Sequence, residues 1–301
     1  MLGVAPRQRR SVQIATWNVN SIRTRLPHVL AWLDRCRPEV LCLQETKVEN
    51  DRFPTAAFEA LGYSVGIHGQ KTYNGVAILS RPPIESLERG FRAVLAEDPE
   101  TIACDEQARV LSACIDGLRV VNLYVPNGSS LQSDKYAYKL RWLAQLRRYL
   151  ERQSREPEPL CVVGDFNIAP DARDLPDPDR QTGGIMASDA ERQALQLALQ
   201  ACGDGEDALQ DGFRAFEPGA GHWSWWDYRS GAWDRDRGWR IDHIYLDAVL
   251  LAQASGCSID RQERGRPQPS DHAPVIVTLS WPPAGGDEEE WLEDQPLGWE
   301  T

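Results

Sequence analysis

Leu160-Cys161-Val162-Val163-Gly164-Asp165-Phe166-Asn167 is a short apolar run that exits onto a carboxylate and a carboxamide. Four apolar residues closed by a glycine read as a short buried strand, so Asp165 and Asn167 stand at a strand end. The pattern recurs along the chain. Residues 12–17 alternate as a strand and end in Asn18-Val19-Asn20, and residues 40–43, introduced by Pro38, run into Gln44-Glu45-Thr46-Lys47. Residues 109–124 read as a hairpin turned by Asp116-Gly117 and followed by Asn127, residues 240–246 carry Asp242, and Asp271-His272 precedes a strand at 275–279. Taken singly, each Asn or Asp reads as a turn or cap residue, because such side chains bond to nearby backbone. Their recurrence at strand ends is what indicates a site, since strand-end loops present functional groups on a rigid scaffold.

Between these strands the spacing predicts helices at about 26–36, after Pro54, over 133–152 and from Ser188, where Ser188 and Glu191 form a capping box. Further strands fall near 63–67 and 75–79, a loop rich in Asp and Pro spans 169–180, and no fixed-period repeat interrupts this α/β mixture. The organisation expected is a short basic arm at 1–11, one catalytic domain at 12–282, and an acidic, disordered, solvating tail at 283–301.

With 301 residues, 42% hydrophobic and 26% charged, the composition is that of an ordinary globular chain. No apolar run approaches the ~20 residues that span a bilayer and the first residues lack an apolar signal core, so a cytoplasmic chain without membrane contact is expected. The seven cysteines include no C-x-x-C pair and are expected to be buried free thiols. A formal net charge of −12 argues against a nucleic-acid partner, but seven acids in the tail account for much of it and leave −5 on the rest.

In order and surroundings, seven strings resemble those of the exonuclease III family of apurinic/apyrimidinic (AP) endonucleases. They are Thr16-Trp17-Asn18-Val19-Asn20-Ser21-Ile22-Arg23, Leu43-Gln44-Glu45-Thr46-Lys47, Tyr124-Val125-Pro126-Asn127-Gly128, Gly164-Asp165-Phe166-Asn167-Ile168, Trp225-Trp226-Asp227-Tyr228-Arg229-Ser230, Gly238-Trp239-Arg240-Ile241-Asp242 and Ser270-Asp271-His272-Ala273-Pro274. The Asp-x-Asn and Asp-His cores are shared with the wider superfamily that includes deoxyribonuclease I, whereas the Gln-Glu-Thr-Lys and Trp-Trp-Asp-Tyr-Arg-Ser segments narrow the resemblance to its DNA repair branch. It implies a deoxyribonuclease I-like, four-layer α/β sandwich of two packed mixed sheets, with the site where strand-end loops of both sheets converge.

The resemblance also implies roles. Glu45 is expected to ligate Mg2+, with Mn2+ able to substitute and with Asn18 and Asp271 nearby; one or two carboxylates suit an ion that keeps its waters. Asp165 would orient or deprotonate the attacking water, Asn167 would fix that geometry, and His272, oriented by Asp242, would donate to a phosphate oxygen. Tyr124 would donate from its phenol, and Asn127 would contact the scissile phosphate or leaving group. Trp225, Trp239 and Ile241 match positions that wall a pocket for a flipped-out baseless sugar, while Lys47, Lys71 and Arg109 suit phosphate contacts. The other histidines, His28, His68, His222 and His243, are expected to be core or exposed, and Trp226 and Trp233 to fill the interior. The expectation is a monomeric enzyme cutting duplex DNA 5′ to abasic sites, with 3′-to-5′ exonuclease and trimming of blocked 3′ ends. The alternatives are a 3′-phosphodiesterase or phosphatase with little AP incision, and a catalytically silent nucleic-acid-binding regulator, which the intact set of site residues disfavours.

Overall fold

The structure, a computed structural model, describes residues 10–203, 205 and 208–282, so the acidic tail and most of the basic arm lie outside the described residues. In chain order the elements are β1 (Arg10–Asn18), α1 (Ile22–Cys36), β2 (Val40–Gln44), α2 (Thr55–Glu59), β3 (Ser64–His68), β4 (Val76–Ser80), β5 (Ile84–Arg89) and α3 (Pro99–Asp105). They continue through β6 (Val110–Ile115), β7 (Leu118–Tyr124), α4 (Asp134–Gln153), β8 (Leu160–Asp165), α5 (Pro178–Gln181), α6 (Asp189–Leu199), β9 (Gln210–Asp211), β10 (Asp242–Leu246), α7 (Ala248–Gln253), β11 (Ala254–Ile259) and β12 (Val275–Trp281). Arg10 and Ser11, expected in the arm, instead open β1, because their backbone finds ladder partners in Trp281 and Ser280.

Two six-stranded sheets form, in the orders β11-β12-β1-β2-β4-β3 and β5-β6-β7-β8-β10-β9. The alternation of β1 explains the layering: Val12 and Ile14 join Val40, Cys42, Leu111, Val120 and Val163 in the core shared by the sheets. Ala15 and Trp17, pointing the other way, pack with Trp32 and Leu33 of α1 and Phe58 of α2. On the far side, Trp142, Leu146 and Tyr149 of α4 and Leu195 of α6 cover Val121, Leu123, Val162 and Tyr245. The result is the four-layer sandwich expected, each layer excluding water from one face of a sheet.

Local chemistry sets the element ends. Asp116 and Gly117 both have positive φ, 54° and 76°, as the two-residue turn between β6 and β7 requires. Ser188 and Glu191 make the reciprocal capping box at the start of α6. Helix α1 begins at Ile22, four residues before the expected start, although Pro27 sits inside it. Its entry is held from outside, by Ser21 N donating to Glu45 O (2.8 Å) and Ile22 N to Thr46 O (3.1 Å).

Topology then decides where function can sit. β1 pairs parallel with β2 and β7 parallel with β8, so Asn18, Glu45, Tyr124 and Asp165 emerge at one end of the sandwich. β10 runs antiparallel to β8 with Asp242 opposite Asp165, and β12 runs antiparallel to β1, so Asp242 and the Asp271-His272 pair enter at that same end. Just beneath, buried Gln44 donates from Nε2 to Thr16 Oγ1 (2.8 Å) and to Asn122 Oδ1 (2.7 Å), tying the two sheets together. The seven cysteines are free thiols, five buried and two, Cys36 and Cys202, half-buried. Among the described residues no helix is long and apolar enough to cross a membrane.

Candidate active site

Glu45 follows β2 in the left-handed region (φ 52°), which turns its carboxylate back over the strand ends. Oε1 accepts from Asn18 Nδ2 and from the Tyr124 hydroxyl, both at 2.9 Å, and Oε2 pairs with Lys47 Nζ at 2.7 Å. Burial alone would raise the Glu45 pKa, but the Lys47 ammonium and the bond from Asn18 hold it below the usual value, so the group is anionic. Tyr124 moves the other way: burial first, then the charge on Glu45, push its pKa well up, and it stays a phenol able to donate.

Asp165 is buried, and both its oxygens are held. Oδ1 accepts from the Asn167 backbone N–H (2.9 Å) and Oδ2 from Asn18 Nδ2 (2.8 Å). Burial raises its pKa, with the Asp242 and Glu45 charges adding to the rise and His272 opposing it, so Asp165 is a more basic carboxylate than one in water. His272 accommodates that charge. Its Nδ1 lies 2.9 and 3.0 Å from the two Asp242 oxygens and its Nε2 lies 3.8 Å from Asp165 Oδ2. Burial disfavours the imidazolium, but the carboxylates of Asp242 and Asp165 overturn that and raise the His272 pKa well above its ordinary value. Asp242 is itself fixed by Ser224, whose Oγ accepts from the backbone N–H groups of Ile241 (3.1 Å) and Asp242 (3.0 Å).

The remaining expected residues fall around this centre. Asn18 presents its amide nitrogen to Glu45 and Asp165 and turns Oδ1 to the Asn20 N–H (3.0 Å), so here it acts as a donor joining the two carboxylates. Asp271 accepts from Asn20 Nδ2 (3.0 Å) and from Trp225 Nε1 (2.9 Å). Asn127 donates to Asn167 Oδ1 (2.8 Å), aligning the β7 and β8 loops. Trp225, Trp239 and Ile241 gather with Ala169, Leu175, Ile185, Met186 and Ala187 in an apolar wall, with the Trp225 ring centroid 6.4 Å from that of His272. Arg109 is turned inward: Nη1 donates to Tyr124 O (3.0 Å) and the guanidinium lies 4.5 Å from the Tyr124 ring centroid, so it braces the phenol. Trp226 is fully buried and Trp233 packs beside it; His243 is buried too, clear of the centre.

Two sets of side chains bear on a metal. Asp165, Asp242 and His272 have ligand atoms within 4.8 Å of one another; His272 Nδ1 lies 2.9 Å from Asp242 Oδ2, and Nε2 faces Asp165. At the mouth, the Lys47 ammonium sits 2.7 Å from Glu45 Oε2 and 2.6 Å from Asn20 Oδ1, so hard oxygen donors converge there on positive charge. That donor set fits a hard divalent cation.

Residues 15–272 match the Endonuclease/Exonuclease/phosphatase family. The chain belongs to that family. It is 34% identical to exodeoxyribonuclease III of Haemophilus influenzae over 88% of this chain and 98% of that protein. Among solved structures it is similar to the 3′ phosphatase NExo from Neisseria bound to a product DNA hairpin (38% identity, TM-score 0.82, covering 90% of this chain and 100% of that one). It is also similar to an AP endonuclease from Archaeoglobus fulgidus (36% identity, TM-score 0.79, covering 89% and 99%). These likenesses make the chain a DNA repair nuclease with the family's deoxyribonuclease I-like fold.

The strand-end motifs thus mark residues that the fold brings together at one end of the sandwich, while two residues that support them escaped the motifs. Ser224, which fixes Asp242, and Lys139, fully buried behind Asn167, lie outside every string. Nothing in helical or strand periodicity distinguishes such a residue from its exposed counterpart.

Proposed function

We propose that this chain is a Mg2+-dependent DNA repair phosphodiesterase that cuts the backbone of duplex DNA 5′ to abasic sites and removes blocking groups from 3′ ends. The observation that carries this reading is the hydrogen-bonded line from Glu45 through Asn18 to Asp165, with His272 and Asp242 on its far side. In-line attack on phosphorus needs an activated water and stabilisation of the growing phosphoryl charge from opposite sides, and this line separates the two tasks.

Glu45, bonded to Asn18 and linked to Asp271 through Lys47 and Asn20, would hold the cation, which when bound would polarise a phosphoryl oxygen and stabilise a leaving oxygen. Asp165, made basic by burial, takes the proton of the attacking water on a second lone pair of one of its two held oxygens. His272 keeps Nδ1 on Asp242 and directs Nε2 to a phosphoryl oxygen, bringing positive charge where negative charge grows. Tyr124, held as a phenol, adds a donor, and Asn127 steers the phosphate from the loop after β7. The wall of Trp225, Trp239 and Ile241 would receive a sugar that carries no base, the nucleotide that costs least to extrude. Lys47, at the mouth, would contact the phosphate backbone.

The likeness to NExo favours a second reading, a 3′ phosphatase with little incision at abasic sites. One experiment separates them: a duplex with a single abasic analogue and an undamaged duplex with a 3′ phosphate, each incubated with Mg2+ or with EDTA. Metal-dependent incision 5′ to the lesion supports the first reading. Processing of the 3′ end alone supports the second, and binding without any cleavage overturns both.

A further inference from the structure

We propose that Lys139, a residue of α4 outside the catalytic strings, is a positioning residue whose buried ammonium locks the β7 and β8 loops in register; this rests on the nuclease reading above. Its side chain is fully buried, and Nζ meets Glu191 Oε1 at 2.5 Å, Asn167 O at 2.7 Å and Asn127 O at 3.3 Å. Three N–H donors thus meet three acceptors, and two of these are the main-chain carbonyls of the residues whose side chains join the loops at the site.

Those carbonyls need such a partner. Asn167 has φ 49° and Gly128, next to Asn127, has φ 90°, so the chain there leaves the ladder that would otherwise satisfy its carbonyls. The lysine stem completes the fit, since a Cβ at Gly128 would come within 3.3 Å of Lys139 Cδ. From the ammonium the constraint runs through Asn167, whose N–H holds Asp165 Oδ1 at 2.9 Å. Glu191 extends it to a third loop, accepting from Met186 N and Ser188 N at 3.1 Å each, and Met186 belongs to the apolar wall. Burial lowers the Lys139 pKa, with Glu191 opposing the shift, so the cation is held at a cost that an apolar side chain of similar length would avoid. Stability alone does not account for a charge here; alignment of Asn127, Asn167 and Asp165 does.

The test compares Lys139→Met with the double variant Lys139→Met/Glu191→Gln. The single variant leaves a buried carboxylate unpaired and its melting temperature falls. The double variant removes both charges, keeps an amide oxygen for Met186 N or Ser188 N, and recovers most of that loss. Positioning predicts that its kcat on the 3′-phosphate duplex nevertheless stays about 10- to 100-fold down with KM near wild type. Recovery of kcat together with the melting temperature would overturn the proposal and leave Lys139 a merely structural residue. Wild-type turnover on the same duplex tests the nuclease reading by itself. If the wild type is inert, that reading fails, and side-chain amide NMR signals decide the clamp: those of Asn127 and Asn167 shift in the double variant while those of Asn122 do not. Unchanged Asn127 and Asn167 signals would sink it.

Discussion

Asp165→Asn is the sharpest test of the centre, because asparagine keeps the volume and one acceptor oxygen but cannot take a proton at working pH. Its kcat is expected to fall by about two to four orders of magnitude with the affinity for uncleaved DNA near wild type. An equal loss of affinity would instead make Asp165 a structural residue. A second residue-scale prediction concerns His243, neutral in the fold: burial first, then the nearby Arg240 guanidinium, lower its pKa from 6.5 to about 4. Arg240 Nη1 approaches Nδ1 at 3.0 Å and Nε2 faces Ile168 O at 2.9 Å, which suits the tautomer protonated at Nε2. Between those two pKa values the unfolded chain binds the extra proton, so stability is lost as pH falls from 6.5 towards 4 and no further below it. From pH 7 to 5 the wild type is expected to lose about 2 kcal/mol more than His243→Gln in urea titrations. Equal losses would show that His243 does not titrate this way. The pattern that exposed Asp165, an acid at the exit of an apolar run, was legible in the sequence. Lys139 and Ser224 were not, because their roles depend on backbone groups brought to them from distant loops.

At the scale of elements, β8 shows how closely the strands that carry the site approach. Gly164, the residue before Asp165, has φ 148°, and a Cβ there would lie 1.9 Å from Leu123 O in the parallel neighbour β7. Gly164→Ala must push β7 and β8 apart or twist the exit of Asp165. A loss of stability on the order of 3 kcal/mol is expected, read as a lower urea midpoint. An alanine variant as stable and active as wild type would mean that the strands can separate at no cost. The sequence showed β8 plainly because its run is apolar on both faces. The hairpin of β6 and β7 was equally plain, since Asp116-Gly117 supplies the two positive φ angles its turn needs. Strands β5 and β11 escaped notice because they lie at sheet edges and hold a single buried residue between them, Cys257. The short helices α3 and α7 bury too few residues to set a period.

At the scale of the whole molecule, sheet order and the parallel pairing of β1 with β2 join residues far apart in the chain, which local periodicity cannot specify; the family resemblance implied two packed mixed sheets, without their strand order. Charge is different, because the sequence alone fixes it. The chain carries −12, yet it acts on a polyanion, and seven of its acids lie in residues 283–301. Truncation after Pro282 leaves β12 whole, ending at Trp281, and takes the formal charge to −5. If the tail acts only through its charge, it repels DNA at long range, and that repulsion is screened beyond about 10 Å at 0.1 M salt. The truncated chain should then show a KM for duplex DNA about threefold or more below that of the full chain at roughly 0.02 M salt, with kcat unchanged. The two should converge at roughly 0.3 M salt, where the screening length is shorter. A gap that persists at high salt would mean that the tail makes a specific contact, and a higher KM after truncation would mean that the tail assists binding.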